Sequence, residues 1–249
     1  MMTPPADDGA FARWLAARVG DELLALRASG ATPEAGDKRA HDVLVTELAR
    51  WRPGDAVLSE EAVRDDVAAR LSAERVWIVD PLDGSREFGE PDRTDWAVHV
   101  ALWRAEAGLA EGAVALPALG RVLATDQPPP YPGPSGVLRV VVSRTRPPAF
   151  VTAVAEAVGG VLVPMGSAGA KIAAVVTGEA DAYLHAGGQY EWDSAAPVAV
   201  ARATGLHTSR IDGSTLVYNQ ADPRLPDLLV CRRELADRLL AAINREEGR

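Results

Sequence analysis

The feature that most constrains this chain is an apolar run that ends in acid. Arg75-Val-Trp-Ile-Val79 has the β-branched and aromatic composition of a strand covered on both faces, and it runs straight into Asp80-Pro-Leu-Asp83-Gly-Ser85. A carboxylate at the end of a buried strand is costly unless it is hydrogen-bonded, paired or bound to a cation. Pro81 prevents the strand from continuing in register, so the chain must turn. One tight turn brings the carboxylates of Asp80 and Asp83 and the carbonyl of Leu82 toward one point. These are hard oxygen ligands, suited to Mg²⁺ rather than zinc or copper. Gly84 and Ser85 then offer backbone N–H groups to an anion, most effectively if a helix begins there. An ordinary Asp/Pro/Gly turn has the same composition, and on this segment alone both readings stay open.

Length and charge narrow the choices. At 249 residues and 47% hydrophobic content the chain is globular, with length for one large domain or two closely packed halves. Thirty-five acids against 26 bases leave a net charge of −9, which argues against broad binding to nucleic acid or to an anionic membrane. An anionic substrate would therefore need cations at the site itself. Cys231 is the single cysteine, so no internal disulfide forms. No basic segment followed by an apolar stretch opens the chain, and no run approaches a membrane span; the expectation is a cytoplasmic protein. His41, His99, His185 and His207 show no zinc spacing, and the six tryptophans read as core.

A seam divides the sequence. Gln127-Pro-Pro-Pro-Tyr-Pro-Gly-Pro-Ser-Gly136 holds five of the 18 prolines and admits no regular helix or central strand. Residues 1–130 form the first half. They predict helices over 8–28 and from about Asp42 to Trp51, then strands over 56–59, 75–80, 96–103, 112–116 and 121–124, a largely antiparallel α+β arrangement. Residues 137–249 alternate strands over 138–142 and 161–163 with helices over 147–158, 167–177 and 193–203, and close with a helix over 233–245. That alternation reads as α/β, and Asp212-Gly213 is a hairpin signal.

Two more groups of acids join Asp80 and Asp83. Leu58-Ser-Glu60-Glu61 places a carboxylate pair at the end of another apolar strand, and Glu191-Trp-Asp193 opens an Ala-rich helix. Taken singly, each is equally an exposed junction or a helix N-cap. Together, Glu60-Glu61, Asp80-x-x-Asp83-Gly-Ser85 and Trp192-Asp193 resemble, in order and spacing, the lithium-inhibited, magnesium-dependent phosphomonoesterases related to inositol monophosphatase. The resemblance runs from about Asp42 to Gly205 and is strongest to the CysQ-type branch that acts on 3'-phosphoadenosine 5'-phosphate. Asp80-Pro-Leu-Asp-Gly-Ser-Arg-Glu-Phe88, Val142-Ser143-Arg144, Gly166-Ser167-Ala-Gly-Ala-Lys171 and Glu191-Trp192-Asp193 carry it.

What the resemblance implies is specific. The fold is a layered αβαβα sandwich of the sugar-phosphatase type. Glu60, Asp80, the Leu82 carbonyl, Asp83 and Asp193 hold two or three Mg²⁺ ions, with Glu61 supporting rather than ligating. Metals grouped in this way clamp the phosphate, activate a water and stabilise the leaving oxygen. The family orients its attacking water with a threonine, matched here by Ser85, and with an aspartate from an earlier helix, assigned here to Asp42. The Gly84 and Ser85 N–H groups hold phosphate oxygens, while Arg144, Ser167, Lys171, Glu191 and Asp193 contact substrate. Arg144 offers a planar fork to phosphate. Lys171 lies four residues after Ser167 on the same helical face, although the segment lacks the pattern of a P-loop.

The chain also departs from the family. Gly36-Asp37-Lys38-Arg39-Ala40-His41-Asp42 lacks the usual lysine, serine-aspartate pair and valine-threonine. Inositol phosphatases place a sugar-binding glutamate about seven residues before the metal-binding aspartate, where this chain has Ala186. The implied reaction is hydrolysis of the 3'-phosphate of 3'-phosphoadenosine 5'-phosphate to AMP, with a small phosphorylated substrate as the partner and a monomer or homodimer as the working unit. Two other readings stay open: an inositol-phosphate or fructose-1,6-bisphosphate phosphatase, and a catalytically silent, metal-dependent nucleotide-binding regulator.

Overall fold

A computed structural model of the chain describes residues 3–62, 67–134, 136–145, 147–246 and 248. Met1, Met2 and Ser135, part of the N-terminal and seam readings above, lie outside the described residues. The chain opens with α1 (Asp8–Ala28) and α2 (Pro33–Trp51), capped by Asp7 and Thr32. A strand β1 (Ala56–Ser59) leads into a 3-10 turn at Glu60–Ala62 and then α3 (Val67–Ser72). Next come β2 (Arg75–Asp83), the short α4 (Ser85–Gly89), β3 (Ala97–Arg104), β4 (Gly108–Leu116) and β5 (Arg121–Ala124). Beyond the seam lie β6 (Arg139–Ser143), α5 (Ala149–Ala157), β7 (Val161–Met165), α6 (Ala168–Val176), β8 (Ala182–Tyr190) and α7 (Glu191–Thr204). The chain closes with β9 (His207–Ser209), β10 (Arg224–Cys231) and α8 (Ala236–Glu246).

The strands form two five-stranded sheets, one in the order β1-β2-β3-β4-β5 and the other β7-β6-β8-β10-β9. In the first sheet only β1 and β2 pair in parallel. In the second, β6 runs parallel to β7 and β8, and β10 is antiparallel to both its neighbours. Period-two alternation decides the layers. Along β2, Trp77 and Val79 pack with Phe11, Leu15 and Leu44 of α1 and α2, while Val76 and Ile78 face the opposite side with α6 and α7. Along β10, Leu228 and Val230 face that same central layer, and Leu229 and Cys231 meet α5 and α8. Helices α1 and α2, first sheet, α6 and α7, second sheet, α5 and α8: the order is αβαβα. Because α6 and α7 come from beyond the seam yet pack on both sheets, the two halves share a core.

Several boundaries differ from the sequence reading. Helix α2 starts nine residues before Asp42, because Gly36 is not a break: a Cβ there would lie 3.1 Å from Phe88 Cε1, so the missing side chain lets α2 pass close to α4. Strands β8, β9 and β10 are absent from that reading. Asp212-Gly213 does form a turn, closed by Arg210 N–H to the Ser214 carbonyl at 2.8 Å, but β10 begins only at Arg224, so it is not a two-residue hairpin.

Candidate active site

β2 delivers the first two acids. Asp80 is buried, and its Oδ1 accepts the Leu82 N–H at 3.0 Å, which closes the turn, while its Oδ2 is buried with no hydrogen-bond partner. The register with β3 slips between Asp80 and Asp83, so both carboxylates reach one side. Asp193, in the first turn of α7, completes the group: one oxygen from each of Asp80, Asp83 and Asp193 lies within 4.8 Å of the others. Asp83 is seated on the start of α6. It accepts Ser167 Oγ–H at 2.5 Å and the N–H groups of Gly169 and Ala168 at 2.6 and 3.1 Å, where the helix dipole favours an anion. Ser167 pays for this post with a positive φ of 45°, and its Oγ also accepts the Ala170 N–H that caps α6.

The acids repel one another. Burial, then the charges of Asp83, Glu60, Asp193 and Asp37, hold Asp80 well above the usual carboxylate range. Glu60, at the turn after β1, keeps solvent access yet is pushed to about 8 by burial and by Asp37, Asp193, Asp83 and Glu61. Asp193 is raised to about 7, chiefly by burial and by Asp83, against the opposing Tyr190 N–H and Lys171. Buried carboxylates that cannot all ionise, one oxygen of them without any partner, fit a site made to receive hard cations. Asp80, Asp83 and Asp193 form that group, and the charge of Glu60 reaches Asp80; the Leu82 carbonyl accepts the Ser85 hydroxyl at 3.1 Å.

The assignment of Asp42 is corrected. Asp42 is exposed on α2 and makes none of the contacts around the cluster. Asp37 is the α2 acid that does: burial and the charge of Glu61 raise it to about 6 against the opposing influence of the Ser85 side chain, and its Oδ1 has no partner. Helical geometry gives the reason. Asp37 heads the inward stripe that continues through Ala40, His41, Leu44 and Leu48, and His41 Nδ1 lies 3.1 Å from Ser59 Oγ beside Glu60. Five residues on, Asp42 is rotated about 140° away from Asp37. An acid at the head of a buried stripe is a signal that appears only once α2 is seen to begin at Pro33 rather than at about Asp42.

Beside the acids opens a cleft of 240 Å³. Gly84, with φ 91°, starts α4 and lines it with Ser85, Arg86, Ser143, Arg144, Ser167 and Lys171. Gly84 has no room for more: a Cβ would meet Ser167, Trp96 and the Asp95 carbonyl at 3.1 to 3.3 Å. Lys171 is buried, its Nζ donates to the Gly166 carbonyl at 3.3 Å, and burial lowers its pKa against the opposing charges of Asp83, Glu87, Asp193 and Asp95. Arg144 borders the cleft but is held by Glu87 and Glu90 at 2.7 and 2.8 Å. Glu191 is not among the residues that line the cleft: its two carboxylate oxygens accept backbone N–H groups, from Asn219 at 2.6 Å and Gln220 at 2.7 Å, so the side chain anchors the loop at 219–220. A larger hollow of 600 Å³ between α1 and α2 is lined by Asp21, Glu22 and Glu47, the last two paired with Arg39 and Arg18.

A five-layer αβαβα fold whose clustered acids, with the Asp80 Oδ2 left unpaired, adjoin a small polar cleft is the architecture of a metal-dependent phosphomonoesterase. The chain belongs to the inositol monophosphatase family, whose profile matches residues 27–247. It is 56% identical over 218 residues to the 3'-phosphoadenosine 5'-phosphate phosphatase of Mycobacterium bovis, covering 84% of this chain and 81% of that one. It is 50% identical over 254 residues to the protein of the same name from Mycobacterium leprae, covering 95% and 93%. Among solved structures, Mycobacterium tuberculosis SuhB superposes with a TM-score of 0.73 at 23% identity over 99% of both chains. Inositol monophosphatase-II of Staphylococcus aureus superposes with a TM-score of 0.75 at 22% identity, covering 96% of this chain and 97% of that one. These two structures bear on the fold alone.

Proposed function

We propose that the protein hydrolyses the 3'-phosphate of 3'-phosphoadenosine 5'-phosphate, releasing AMP and phosphate, with two or three Mg²⁺ ions held by Glu60, Asp80, the Leu82 carbonyl, Asp83 and Asp193. The observation that carries the chemistry is the partnerless Oδ2 of Asp80 at the centre of acids raised by burial and mutual repulsion. The names of the relatives at 50% and 56% identity support the substrate, and Ala186, where an inositol phosphatase would need a glutamate, favours it over the sugar reading. Bound divalent cations supply Lewis-acid charge to the phosphoryl and leaving oxygens.

The chain's own groups do the rest. Asp37, whose Oδ1 is unpartnered, accepts a proton from the attacking water, and the neighbouring Ser85 hydroxyl fixes that water's direction. The Gly84 and Ser85 N–H groups, at the start of α4, hold phosphate oxygens without reorganising during the reaction. Lys171 sets a positive charge beside the acids and, with Ser167 and Arg144, lines the cleft that would take the rest of the substrate. Li⁺ sensitivity, a role in sulfur assimilation, a cytoplasmic location and a monomeric or homodimeric state belong to the same proposal. Phosphate release from the bisphosphate nucleotide, inositol 1-phosphate and fructose 1,6-bisphosphate, with Mg²⁺ and with added Li⁺, tests it. Faster turnover of either sugar phosphate would displace the nucleotide, and no turnover of any despite tight nucleotide binding would leave the silent regulator.

A further inference from the structure

We infer that Tyr190, braced by Trp192, is the platform on which the base of the substrate nucleotide stacks. The inference rests on the nucleotidase reading above and specifies how the site tells a nucleotide from other phosphate monoesters. Tyr190 ends β8 with 40% of its surface exposed, while Trp192 beneath it is only 2% exposed. The two rings are parallel, 5° apart in plane with centroids separated by 4.7 Å, so Trp192 covers one face of Tyr190 while the residue as a whole stays exposed. A ring held flat by a buried neighbour has little freedom left to lose when a ligand settles on it.

The place of the ring gives it a function. The Tyr190 N–H donates to Asp193 Oδ2 at 2.7 Å, which fixes the residue at the edge of the carboxylate cluster. The strand leading to it is bare. Gly187 and Gly188 are exposed, with φ of 86° and 82°, and no atom lies within 4 Å of where either Cβ would stand. Opposite them the pairing with β10 shifts register between Leu225 and Asp227, opening the ladder at that point. Among the described residues the other exposed aromatic is Tyr131, whose hydroxyl is occupied by Glu234 and by the N–H of Arg233 at the seam. Tyr190 is thus the exposed ring next to the chemistry. A flat heteroaromatic base offers a π-face to such a ring whatever its substituents, whereas an inositol or a bare sugar phosphate offers none.

The test compares selectivity. Wild type, Y190A, Y190F and Y190W are assayed on 3'-phosphoadenosine 5'-phosphate and on inositol 1-phosphate, and their affinities for AMP and ribose 5-phosphate are measured by calorimetry. Stacking of ordinary strength makes Y190A lower the nucleotide-to-inositol ratio of kcat/KM by roughly fivefold or more, through KM, with Y190F and Y190W retaining the ratio. It also makes wild type prefer AMP to ribose 5-phosphate, a preference that Y190A loses. An unchanged ratio in Y190A, or equal losses on both substrates, overturns the platform while leaving the nucleotidase reading intact. Wild type that turns over no nucleotide sinks that reading instead, and calorimetry then decides the platform: a base-dependent affinity lost in Y190A upholds it, and equal affinity for the two ligands overturns it.

Discussion

Replacing Asp37 by Asn should cost activity and add stability, and replacing Asp42 by Asn should do neither. The carboxyl of Asp37 is raised from 3.8 to about 6 by burial and by the charge of Glu61. Two units correspond to about 3 kcal/mol by which ionised Asp37 opposes folding in the metal-free protein, an upper bound for a half-buried group that solvent partly screens. The folded state holds a proton that the unfolded chain has released, so this cost is absent below the unfolded value near pH 4, grows as pH rises to about 6 and is constant above it. The Asp37→Asn substitution removes it. For a chain of this size 1 kcal/mol moves Tm by roughly 2–4 °C, so D37N without metal should melt up to about 10 °C higher at pH 8 and hardly differently at pH 4. Its turnover should fall by about 10²–10⁴, the usual contribution of a positioned general base. Asp42 is exposed, and D42N should stay within about 0.5 kcal/mol of wild type. Melting curves in chelator at the two pH values and phosphate release at saturating Mg²⁺ suffice. If D42N loses more activity than D37N, or if D37N melts lower at pH 8, the placement of the water-orienting acid is wrong.

Three further outcomes follow from the same geometry. Above the ordinary histidine value of 6.5, the acids still protonated in the folded state are Asp80, Glu60 at about 8 and Asp193 at about 7; the metal-free protein should therefore lose Tm as pH rises from about 6.5 to 8.5, and added Mg²⁺ should restore more at the upper end. A flat or rising Tm in chelator would remove mutual repulsion from the account. Glu191→Gln weakens two charge-assisted bonds to the 219–220 backbone and should destabilise by about 1–3 kcal/mol with KM nearly unchanged; a tenfold KM rise at wild-type Tm would return Glu191 to the substrate site. Gly169→Ala places a Cβ 1.9 Å from His99 Nε2 and 3.1 Å from Asp83 Oδ2, so chemical denaturation should show a loss of at least about 1–3 kcal/mol, accompanied by lower affinity for Mg²⁺.

The acids that sit at strand ends were legible because local chemistry forces them into view: an apolar run that stops at Asp80, another that stops at Glu60, and a helix that opens on Asp193 each break a pattern in the sequence. Asp37 breaks none at the level of composition. Its role depends on which face of α2 turns inward, and that face is set by α2 running back to Pro33, which depends in turn on Gly36 fitting against Phe88 some fifty residues later. The same limit applies to Arg144 and Glu191. Both carry charge at the expected positions, but whether that charge meets substrate depends on Glu87, Glu90, Asn219 and Gln220, partners drawn from elsewhere in the chain. Arg144 therefore has a choice that the sequence could not reveal. Bound to two carboxylates it contributes little to an anion in the cleft, and an incoming phosphate must compete with Glu87 for the same guanidinium fork. If it wins, Glu87→Gln should tighten nucleotide binding; if Arg144 only braces α4 against the second half, the same change should lower Tm and weaken binding together.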